Sequence, residues 1–108
     1  MKLTVLMVDG CPGAPLLEQR LAVALAGRTD VEITWNVIAD ASEAARAGLH
    51  GSPTMLVDGV DPFAAPGQPP SLSCRLYDNA PGLLERAPSV TRLRQVLGAA
   101  AGPGRGDG

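Results

Sequence analysis

The amino-acid sequence predicts an α/β protein: a four-stranded mixed sheet with flanking helices, in the order β-α-β-α-β-β-α. Three observations carry that prediction. The first strand is apolar on both faces, as a strand needs to be when helices cover both sides of its sheet. Helical periodicity then alternates with short β-branched runs, and glycine, proline or aspartate stands at nearly every change of pattern. A chain of 108 residues that is 45% hydrophobic can also bury one core of this kind.

Residues 2–8 set Leu3, Val5 and Met7 on one face and Thr4, Leu6 and Val8 on the other. Asp9-Gly10 breaks this strand, and Cys11 and Pro12 follow. Proline suits a first helical turn because the N–H it lacks would have no partner there. From Pro15 to Ala26, Leu17, Leu21 and Leu25 recur at helical spacing, and Gly27 ends the pattern. Val31 to Ile38 alternates apolar and polar residues, a second strand with one wet face that belongs near a sheet edge.

Asp40, with Glu43 three residues later, forms an acidic capping box for a short Ala-rich helix that stops at Gly48. Thr54 to Val57 is the third strand, entered through Ser52-Pro53 and closed by Asp58-Gly59. Residues 61–70 hold four prolines and form a long loop. Ser71 to Tyr77 reads as the fourth strand, antiparallel to the third, with Leu72, Cys74 and Leu76 on an apolar stripe and Ser73, Arg75 and Tyr77 opposite. The last helix starts at Ser89 and carries Val90, Leu93 and Leu97. The expected domain is 1–98, followed by a disordered tail over 99–108.

Nine Lys and Arg against eleven Asp and Glu give a formal net charge of −2, without the basic footprint that nucleic acid requires. No apolar run approaches the ~18 residues of a membrane span, and no signal-peptide pattern opens the chain, so the expected location is the cytoplasm with no membrane partner. Two cysteines and one histidine are too few and too scattered for a structural zinc site. Neither a metal nor a cofactor is expected, since no glycine-rich phosphate loop or nucleotide motif occurs. In a reducing compartment the two thiols read as reactive or buried rather than as a disulfide framework.

Cys11 follows a strand and precedes a helix, where unpaired backbone N–H groups and the helix dipole favour a thiolate. This placement, with Cys11-Pro12-Gly13-Ala14 after the first strand and Gly51-Ser52-Pro53-Thr54 before the third, resembles the thioredoxin-like superfamily over residues 2 to about 98. The resemblance implies that strand three runs antiparallel to strand one and brings a cis Pro53 beside Cys11. It implies further that Cys11 is the attacking thiolate, that Pro12 and Pro53 shape the substrate site, and that Ser52 offers backbone groups to an extended substrate. The departure is Ala14, which stands where the dithiol pattern has its second cysteine, so Cys11 is monothiol-like unless Cys74 serves.

A narrower resemblance joins residues 51–63 and 71–77 to small actinobacterial thioredoxin-like proteins labelled alkylmercury lyase family. It implies soft-metal or organometal chemistry, with Cys11 and Cys74 as sulfur ligands and Asp9 as a proton source.

Each candidate also has a plainer reading. Cys11 could be a small buried hydrophobe, Cys74 a buried structural thiol on its stripe, and Asp9 a turn residue before glycine. His50 reads as a helix-end residue that could reach the site. Trp35 reads as core or strand surface, and Tyr77 and Asp78 close strand four near the active edge. The leading expectation is a thiol–disulfide oxidoreductase-like protein that uses Cys11, with a thiol or disulfide substrate that could itself be a protein. A non-catalytic binding module built on the Pro53 groove and loop 61–70 is the second reading. The organomercurial or soft-metal thiol protein is the third.

Overall fold

The computed structural model describes residues 1–98; the tail expected over 99–108 lies outside them. The chain is mixed α/β, in the order β1 (Lys2–Met7), α1 (Gly13–Ala24), β2 (Glu32–Val37), α2 (Ala41–Ala47), β3 (His50–Ser52), β4 (Thr54–Val57), β5 (Ser71–Cys74), β6 (Tyr77–Ala80), β7 (Leu83–Glu85) and α3 (Val90–Leu97). The main sheet has three strands, ordered β2-β1-β4, with β1 parallel to β2 and antiparallel to β4. Among the described residues, no helix is long and apolar enough to cross a membrane.

The two apolar faces of β1 have separate uses. Leu3 and Val5 pack with Met55 beneath Leu17 and Leu21 of α1 and Leu93 and Leu97 of α3. Leu6 joins Ile38, Ala44 of α2 and Leu49 on the other face. Each helix is set by local chemistry as well as by burial. Asp40 accepts from the Glu43 N–H at 2.8 Å while the Glu43 carboxylate takes the Ala39 N–H at 2.8 Å, and Gly48 leaves α2 at φ 87. Ser89 caps α3 through the Arg92 N–H at 3.1 Å.

The fourth strand departs from expectation in three ways. It does not join the main sheet, it is not antiparallel to β4, and it is not continuous. After β4, Asp58 and Gly59 take φ 49 and 89, as a tight hairpin turn demands, and Val57 bridges Val60 in both directions. The antiparallel pairing stops there. Pro62, Pro66, Pro69 and Pro70 cannot donate to a ladder, and the loop instead carries β5 round to lie parallel to β3, with Ser52 opposite Cys74. The strand ends at Cys74, and the chain then forms a separate small antiparallel pair, β6 with β7.

The faces of segment 71–77 are also exchanged. Leu72, Cys74 and Leu76 are exposed, whereas Arg75 and Tyr77 are buried. The physical cause is a polar anchor. The Arg75 guanidinium donates to Asp61 Oδ2 at 2.8 Å, to the Phe63 carbonyl at 2.8 Å and to Thr54 Oγ1 at 3.3 Å, and it lies 4.6 Å from the Tyr77 ring centroid. A cation with that many partners can be buried where a lone one could not.

Candidate thiol site

The turn between β1 and α1 holds Cys11 by backbone bonds. Its N–H donates to the Val8 carbonyl at 3.2 Å, and its own carbonyl accepts from Ala14 N–H at 3.3 Å. Pro12 is the residue before α1 and stays exposed, and no side chain caps the helix start. Cys11 is 7% exposed, so a thiol read as reactive lies largely covered. Asp9 is exposed.

Pro53 comes against this turn because β4 pairs antiparallel with β1, with Thr54 opposite Leu6. The Ser52–Pro53 bond is cis. Gly13 permits the approach: a Cβ there would lie 2.9 Å from Pro53 Cδ and would run into the Arg86 carbonyl oxygen. Ser52 tightens it from the other side, its hydroxyl accepting from the Val8 N–H at 3.0 Å. Cys11, Ser52 and Pro53, far apart in sequence, are thus gathered at one end of the sheet.

The surroundings of Ser52 differ from those the resemblance implies. Ser52 is 1% exposed and Pro53 is fully buried, so neither lines an open groove. The Ser52 carbonyl accepts from the Arg75 N–H at 3.0 Å, and the Ser71 N–H donates to the Leu49 carbonyl at 2.9 Å. The chain's own β5 therefore occupies this backbone edge. Cys74, exposed, ends that strand opposite Ser52. Both cysteines are free thiols.

Tyr77, together with Phe63, Asp61, Arg75 and Arg92, which the sequence did not mark as site residues, supports the site from below. The Tyr77 hydroxyl donates to the Pro53 carbonyl at 2.5 Å. Burial pushes the Tyr77 phenol up, and the Arg75 cation beside its ring opposes the shift. Tyr77 packs edge-on against Phe63, with ring centroids 5.5 Å apart, and Arg92 covers Phe63 at 4.9 Å. Gly51 was the one available signal for Arg75: it sits at φ 99, and a Cβ there would be 2.9 Å from the Arg75 Cβ. Asp61 gave no signal, being an aspartate at the start of a proline-rich loop.

His50 bonds the Pro69 carbonyl through Nδ1 at 3.4 Å and so faces the proline-rich loop. Asp78 is exposed, and its carbonyl accepts from Arg92 at 2.6 Å. Trp35 is half-buried on β2 and shares an apolar cleft with Met7, Ala14, Pro15 and Glu18, beside the first turn of α1. Among the described residues, no three His, Cys, Asp or Glu side chains gather where they could hold a metal ion. Comparison with protein-family models, curated proteins and solved structures returns no match, so the site's chemistry is argued from its own geometry.

Proposed function

We propose that this chain is a thioredoxin-like protein in which Cys11 is the nucleophile of thiol–disulfide exchange. The observation that carries the reading is the meeting of the Cys11 turn with the cis Ser52–Pro53 entry to β4, closed by the Gly13 approach and by the Val8 to Ser52 bond. Cys11 stands in the turn that leads from β1 into α1. Exchange proceeds by attack of the Cys11 thiolate on a substrate sulfur to give a mixed disulfide, which a second thiol then opens. Ala14 cannot be that second thiol, so it comes from an external small thiol or from Cys74.

The test is turnover of a disulfide with a small thiol as reductant. Cys11→Ser should reduce the rate at least a hundredfold, and equal activity in Cys11→Ser and wild type would end the proposal. Cys74→Ser separates the two release routes: a preserved rate points to the external thiol, and accumulation of the Cys11 adduct points to Cys74.

A further inference from the structure

We infer that the substrate sulfur reaching Cys11 belongs to a small molecule and not to an extended polypeptide. This rests on Cys11 being the nucleophile, as proposed above, and adds the substrate class.

The first ground is the closed backbone edge. An extended peptide gains affinity at such a site by adding itself as a strand, which requires unpaired N–H and C=O groups on the receiving edge. Here that edge, β3, is already paired with β5 in parallel register, from His50 opposite Ser71 to Ser52 opposite Cys74. The Ser52 carbonyl holds the Arg75 N–H at 3.0 Å. The cover is not loosely laid: Arg75, next after β5, is pinned by Asp61, Phe63 and Thr54 with its side chain 6% exposed. Displacing β5 to admit a peptide would unpair a buried cation.

The second ground is independent of the first. Cys11 itself is 7% exposed, and Gly13, Ala14 and Pro53, which meet at this turn, are buried too. A sulfur carried on a folded or extended main chain would have to bring its neighbouring residues into that space, whereas a sulfur on a short alkyl chain would not. The cleft of Met7, Ala14, Pro15, Glu18 and Trp35 includes residues from both elements that flank the Cys11 turn, β1 and α1, and is of a size for the non-reacting part of a compact molecule.

The cycle balances with a small disulfide and a small external thiol. The Cys11 thiolate attacks one sulfur, a new sulfur–sulfur bond forms to Cys11 as the substrate's own breaks, and the departing thiolate takes a proton from water. An external thiol of low molecular weight then attacks the adduct, leaves as the new disulfide, and restores Cys11.

One molecule tests this: a decapeptide whose single cysteine is joined by a disulfide to 2-mercaptoethanol. It presents a small sulfur and a peptide sulfur in the same bond. Full-length protein is reacted briefly with it, digested, and the adducts on Cys11 and Cys74 are weighed by mass spectrometry. Exposed Cys74 supplies the ratio for an unobstructed thiol. Cys11 is expected to carry the 2-hydroxyethyl group over the peptide by at least tenfold more than Cys74 does. The same ratio at both cysteines, or a peptide excess at Cys11, overturns the inference and leaves the nucleophile in place. No adduct of either kind on Cys11 overturns both.

Discussion

Arg75 shows how one side chain can decide the environment of a site it does not enter. Its pairing with Asp61 takes place with both side chains almost out of water, 6% and 5% exposed, and its ring contact supports Tyr77, whose hydroxyl holds the Pro53 carbonyl. Removing one member of such a pair leaves an uncompensated buried charge, which costs about 3–5 kcal/mol. Asp61→Asn and Arg75→Met should each lower stability on that scale in urea unfolding. The double variant should cost much less than the sum, because neither charge is then stranded. Additive losses would show that the pair has no coupling, and the burial argument for Arg75 would fail with it.

At the scale of elements, short helices here depend on their ends. α2 spans only Ala41–Ala47 and buries a single residue, Ala44, so it has little packing to hold it. Its reciprocal cap, Asp40 with Glu43, is therefore a large share of what keeps it formed. Asp40→Ala is expected to cost about 1 kcal/mol. Amide exchange should report the loss over 41–47 before it reports any over β1; uniform loss of protection would mean that the cap acts on the whole fold. The strands teach the converse. β3 and β5 are too short to be specified by their own pattern, and they exist as a pair because residues 58–70 bring them side by side.

Across the whole molecule, ion pairs tie α1 and the turn after it to the segments on either side of α3. Arg20 of α1 bonds both Glu85 oxygens at 3.3 Å and the Ala87 and Pro88 carbonyls, and Arg28 joins Asp30 to the carbonyls of Leu97 and Gly98. Arg20, and then Asn79, hold the Glu85 carboxyl below its usual range, and Arg28 holds Asp30 at about 2. For both, the folded pKa lies below the unfolded one. Their stabilisation is complete above the unfolded value and is lost as pH falls through the folded value, between the ordinary 3.8 and about 2 for Asp30. Glu85→Gln should thus flatten the acid side of the stability–pH curve while changing little near its alkaline side, an effect that salt should weaken. An unchanged acid limb in low salt would show that the Arg20 contact contributes nothing to folding.

What the sequence by itself determined is the part that rests on neighbours a few residues apart. The two-faced first strand, the caps at Asp40 and Ser89, the turn at Asp58-Gly59 and the placing of Cys11 between a strand and a helix all follow from local bonding and periodicity. Pairing beyond β4 was decided only in three dimensions, and so was the direction in which 71–77 faces. Alternation with a period of two marks two faces and is silent about which one turns inward. In this chain the choice fell to a charge pair spanning 14 residues, Asp61 with Arg75, which drew the polar face in, turned Leu72, Cys74 and Leu76 out, and laid β5 across the backbone beside Cys11.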